Sequence, residues 1–156
     1  MSTTLHLRLL GGFDLTCGDE PVAAVNTPRL QSLLAYLALH RDAPQPRQQL
    51  AFLLWPDSSE AQARTNLRHL IHQLRQALPQ ADEYLCATVN TLQWRVDAPF
   101  TLDVAEFENA LAQGALQQAA DLYHGDLVPG CYGDWIAPER ERLQQQYVSV
   151  LERLIQ

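Results

Sequence analysis

The chain has 156 residues, 47% hydrophobic and 19% charged, with a net charge of −7, enough for one domain or two small ones with a real core. No run approaches the roughly 18 apolar residues of a membrane span and no signal-peptide pattern opens the chain, so a cytoplasmic protein without membrane contact is expected. Cys17, Cys86 and Cys131, odd in number and far apart, give neither a disulfide framework nor a zinc site and read as buried thiols in a reducing compartment.

Leu5, Leu7 and Leu9 alternate with His6 and Arg8, a half-buried strand. Gly11-Gly12 breaks it, residues 13–17 read as the next strand, and Gly18-Asp19-Glu20-Pro21 is a turn signal after which 22–25 pairs back. A small antiparallel sheet thus precedes any helix. Thr27 caps and Pro28 opens the first helix, with Leu30, Leu33, Leu34 and Leu37 on its buried face. Pro44-Gln45-Pro46 stops it and starts a short helix over 47–55. Arg47 falls in the first turn of that helix, where free amides and a cation suit a phosphate as well as they suit solvent.

Pro56-Asp57 ends the short helix, and the central helix of the chain, 58–78, follows at once as in a helix-turn-helix. Ser58 or Ser59 caps it, and Asp57 and Glu60 complement its positive end. Ala63, Leu67, Leu70, Ile71, Leu74 and Leu78 recur at helical spacing and must face a core. At about 100° per residue, Thr65, His69, His72 and Gln76 fall on the opposite face with Gln62, and Arg64, Arg68 and Arg75 line a flank. No acid occurs from Arg64 to Gln76. Amides, imidazoles and a hydroxyl beside an arginine edge suit a DNA major groove, reading base edges and holding phosphates. The plainer alternative is a solvated face, with Arg64 paired to Glu60 four residues before it.

Pro79 terminates the central helix. Strands over 84–88 and 92–96 about a Val89-Asn90-Thr91 turn form a hairpin directly after a helix-turn-helix, which is a wing. Asn90, Thr91 and Arg95 are its candidates for backbone or minor-groove contact, whereas Trp94 reads as core. Residues 103–156 read as helices. Val104, Phe107, Ala110 and Leu111 share one face, 115–123 forms a second segment, and Pro138 opens a third with Leu143, Tyr147, Val150, Leu151 and Leu154 at helical spacing. Tyr123, Tyr132 and Trp135 read as packing residues.

The order sheet, three helices, hairpin resembles the OmpR-type winged helix. Leu50-Ala51-Phe52-Leu53-Leu54-Trp55-Pro56-Asp57, Ala63-Arg64-Thr65-Asn66-Leu67-Arg68 and Leu74-Arg75 look like the antibiotic-regulatory-protein branch of that family. Leu102-Asp103-Val104-Ala105-Glu106-Phe107, the run from Leu122 to Gly130, and Trp135 with Glu139-Arg140-Glu141-Arg142-Leu143 resemble the bacterial transcriptional activation domain that follows it. The fold class is then α+β. Residues 1–97 are expected to form the DNA-binding winged helix, and 98–156 the all-α, tetratricopeptide-like start of the activation domain. That segment is either truncated or closed by its last helix packing back on the winged helix or on a partner.

The resemblance implies that the central helix is the recognition helix, with Thr65, His69, His72 and Gln73 at base-facing positions. Gln73 departs from the family's frequent arginine and His72 from its usual small or basic residue, so the target sequence stays open. It also implies binding to direct repeats of double-stranded DNA by two molecules side by side, and contact with RNA polymerase.

Net charge alone argues against nucleic acid, but its distribution does not. Residues 1–97 carry eight arginines against nine acids, and residues 98–156 three against nine. No lysine occurs, so every cation is an arginine able to bind bidentately. Nothing points to an enzyme or a cofactor. There is no glycine-rich phosphate loop, and the His69/His72 pair lacks a carboxylate or thiol at metal-ligand spacing. The alternative to a sequence-specific regulator is an interaction or dimerisation module on a winged-helix scaffold that does not bind DNA.

Overall fold

The structure, a computed structural model, describes residues 4–131 and 133–156. Strand β1 (Leu5–Arg8) runs antiparallel to β2 (Asp14–Cys17), with Leu7 opposite Leu15 and both side chains in the core. Gly18, at φ 61°, turns the chain within two residues, so the return strand β3 is Glu20–Pro21 and not the expected 22–25. Helix α1 (Pro28–Leu39) starts where Thr27 accepts the Leu30 amide. Strand β4 (Gln45–Pro46) leads into α2 (Arg47–Leu54), and α3 (Glu60–Ala77) follows after a five-residue turn. Then come β5 (Leu85–Ala87), β6 (Thr91–Trp94), β7 (Phe100–Leu102), α4 (Asp103–Ala112), α5 (Leu116–Leu122) and α6 (Ile136–Ile155).

The chain is mixed α+β, with an N-terminal winged helix followed by a helical segment, as expected. Two short strands absent from the sequence reading complete its sheets. Strand β7 lies parallel to β1, pairing Leu5 with Phe100 and Leu7 with Leu102, so the first sheet, β3-β2-β1-β7, is mixed and not purely antiparallel. Strand β4 joins the wing hairpin in the order β4-β6-β5. Between them lies one continuous core. Trp94 is fully buried in it, stacked on Tyr84 and tilted against Phe100.

The helical segment is tied firmly to the first sheet. Buried Asp103 accepts the Leu9 amide at 2.9 and 3.0 Å and the Leu10 amide at 2.9 Å. Burial pushes its carboxyl above the ordinary range, with these amides pulling the other way. The Gly11 amide donates to Asp126 O and the Val128 amide to Leu9 O. Gly11, at φ 102°, holds a conformation that favours glycine, and a Cβ there would stand a tight 3.1 Å from the His124 carbonyl carbon. From the far side Arg140 donates to the carbonyls of Leu127, Val128 and Cys131 at 2.6–3.0 Å. Residues 127–131 are thereby pinned between sheet and helix.

Only Cys131 is a buried thiol, 3.1 Å from Ser32 Oγ; Cys17 and Cys86 are half-buried, at strand positions with one open face. Tyr123 is buried and Trp135 half-buried with its edge on Tyr36, both packing as expected; Tyr132 lies outside the described residues. Helix α6 begins two residues before Pro138, which the first turn tolerates because amides there have no intrahelical partner. Its Leu143 and Val150 are buried, whereas Val148, Leu151, Leu154 and Ile155 are exposed.

Candidate nucleic-acid interface

Helix α3 is held on one side only. Ala63, Leu67, Leu70, Ile71 and Leu74 are buried, packing mainly against α2 and also against α1. Ser59 caps its start by accepting the Gln62 amide, and Leu78 closes its end. The opposite face is open. Arg68, His69, His72, Gln73 and Gln76 are exposed, and Thr65 is half-buried with its hydroxyl donated to Ala61 O at 3.1 Å. An eighteen-residue helix fixed along its back and polar along its front is a rigid platform, because packing sets its position without using the front.

Four of the sequence-predicted residues converge beside it. Strand β4 brings the first turn of α2 to the wing, where the Arg47 amide donates to Asn90 O at 2.9 Å. Arg47, Arg64, Arg68 and Asn90 thus line one cleft of about 510 Å³ together with Gln48 and Val89 at the wing tip. No acid lines that cleft. Arg47 Nε is buried there with no hydrogen-bond partner, a donor for which a ligand oxygen would be the natural acceptor.

The remaining candidates are placed differently. Arg64 is paired with Glu60 at 2.6 Å, both well exposed, so the pair is weak and exchangeable. Arg75, at the far end of α3, is paired with Asp82 and lies outside the cleft. Thr91 opens β6 with its hydroxyl 2.8 Å from Thr88 Oγ1, which leaves Asn90 and Val89 as the wing tip. Arg95 is exposed and donates to Asp82 O. Among the described residues no cluster of three side chains could hold a metal ion, and no helix is long and apolar enough to cross a membrane.

His69 and Gln73 stand on the other flank of α3, with Asn66. They line a groove of about 710 Å³ whose far wall is the start of α1 with Trp55, Gly130, Cys131, Gly133 and Trp135. Arg29, absent from the residues singled out in the sequence, sits there with its guanidinium 5.0 Å from the centre of the Trp55 ring. Nothing local in the sequence marks Arg29. Only the packing of a loop about a hundred residues away makes its surroundings a groove.

Residues 23–92 match the sequence family described as "Transcriptional regulatory protein, C terminal". No curated protein matches the chain in sequence. Its fold is similar to that of Mycobacterium tuberculosis EmbR, solved in complex with a low affinity phosphopeptide, with a TM-score of 0.75 at 21% identity. The match covers 96% of this chain and 44% of the EmbR chain, so this chain spans under half the length of that protein.

Proposed function

We propose that this chain is a sequence-specific regulator, an activator, that reads double-stranded DNA with α3, a reading supported by the match of residues 23–92 to a family of transcriptional regulatory proteins. In this scheme α3 lies in the major groove. Thr65, His69, His72, Gln73 and Gln76 face base edges; Arg47, Arg64 and Arg68 take phosphates, Arg75 joins them on exchanging Asp82, and the wing tip at Asn90 and Thr91 meets the backbone or minor groove. Residues 1–97 act as the DNA-binding unit and 98–156 as the start of an activation domain. Two copies occupy direct repeats and contact RNA polymerase, as the family resemblance implies.

The observation that carries the proposal is the acid-free cleft that joins Arg47, Arg64, Arg68 and Asn90 beside the open face of α3. Separate elements supply these groups, and a solvated helix face alone would not gather them. One observation favours the alternative, an interaction module without DNA contact: Glu60 and Asp82 already occupy two of the three arginines on the α3 flank.

Fluorescence anisotropy of the chain titrated onto random and promoter-upstream duplexes at two salt concentrations decides between them. A regulator binds with sequence preference and loses affinity steeply with salt, the slope counting phosphate contacts at about 0.9 each. Absence of binding at low salt would leave the interaction module.

A further inference from the structure

The scheme above uses His69 and Gln73 on the far flank of α3 but not Arg29 and the rest of the groove they line. A helix with its side chains is about 10–12 Å across and the major groove about 12 Å wide. An inserted helix therefore has a phosphodiester strand along each of its two flanks. The cleft at Arg47, Arg64 and Arg68 serves one strand. On the other flank the fold provides a second concave surface, lined by Asn66, His69 and Gln73 from α3 and faced by Arg29, Trp55, Cys131 and Trp135.

Its charge is unusual for this molecule. The chain carries 18 acids against 11 arginines, yet no acid lines this groove; Asp134 is exposed beside it but is not in its wall. Arg29 is exposed, in the first turn of α1, and no carboxylate pairs with it among the described residues. Its guanidinium is held by the indole of Trp55, so its planar donors are oriented in advance while its charge stays uncompensated. The outer wall is equally fixed, since Cys131 contacts Ser32, Trp135 packs on Tyr36 and Arg140 holds the Cys131 carbonyl.

We infer that this groove is a second phosphate seat, in which Arg29 takes the DNA strand on the side away from the wing and Gly130, Cys131, Gly133 and Trp135 wall it from outside. The helical half then forms part of the DNA-binding surface. The inference rests on the DNA-binding function proposed above and extends it to residues outside the helix-turn-helix and wing.

The test uses the full chain and a random-sequence duplex at several salt concentrations. Arg29→Gln should weaken binding several-fold and lower the salt slope by about 0.9, and Arg29→Lys should restore the slope. A Cβ at Gly130 meets open space, so Gly130→Glu should weaken binding by repulsion with its thermal midpoint unchanged. Arg68→Gln separates the two levels of the argument. If Arg68→Gln lowers the slope and Arg29→Gln does not, the second seat is overturned and DNA binding stands. A loss at Arg29 that lysine does not restore assigns this residue to packing on Trp55 and also overturns the seat. If the chain binds no duplex, both fall.

Discussion

Helices α3 and α6 are built to the same rule and end in opposite situations. They have 18 and 20 residues, and each buries a stripe at helical spacing. Away from its buried stripe α3 exposes amides, imidazoles and arginine, whereas α6 exposes Val148, Leu151 and Ile155 beside Glu141, Gln144 and Glu152. Periodicity therefore fixes which side of a helix meets the core. What a helix can do depends on the chemistry of the side that periodicity leaves free.

Removing core atoms from either helix should show the shared half of that rule, and gives the largest effects. Leu74→Ala in α3 and Leu143→Ala in α6 each empty a fully buried site, so each should cost about 2–5 kcal/mol of stability, measured by urea unfolding. Loss of stability from Leu74→Ala alone would mean that α6 is only loosely docked and that the two helices do not share a core. Arg68→Ala shows where they part. It should leave stability within about 0.5 kcal/mol and reduce affinity for every duplex, with a salt slope lower by about 0.9.

The opposite charge change sharpens the same contrast. Glu60 holds Arg64 and also accepts from Gln48 at 3.1 Å. Glu60→Gln removes a negative charge next to the cleft and frees Arg64, so DNA affinity should rise a few-fold and the salt slope should steepen. Unchanged affinity would mean that Arg64 makes no phosphate contact.

How much of this was legible in the sequence follows from the range of the interactions. Helix α3, its cap at Ser59 and its buried stripe depend on residues within a few turns of one another, and the one-dimensional pattern records them. The hairpin about Asn90 was legible for the same reason, and the burial of Trp94 from the size and apolar character of its ring. Strands β4 and β7 were not. Gln45–Pro46 and Phe100–Leu102 are too short for a period of two to show, and β7 is a strand because it pairs with β1 some 95 residues away. The arginines illustrate the same limit at the site. Their spacing placed Arg64, Arg68 and Arg75 on one flank, but which of them stay available depends on Glu60, which is local, and on Asp82, which reaches Arg75 only after the chain turns beyond α3.

The smallest expected effects lie on the open side of α6, and they matter because the sequence pattern alone treats all its leucines alike. Leu143, Leu151 and Leu154 all recur on one apparent stripe, yet Leu143 is fully buried while Leu151 and Leu154 are 38% and 39% exposed. An exposed leucine loses little transfer energy on truncation and leaves no cavity, because solvent already reaches it. Leu151→Ser should therefore change the free energy of unfolding by less than about 1 kcal/mol, several-fold less than Leu143→Ala in the same helix. Equal losses would mean that Leu151 is covered in solution, and sedimentation of the two variants at high and low concentration would then show whether a second copy of the chain covers it.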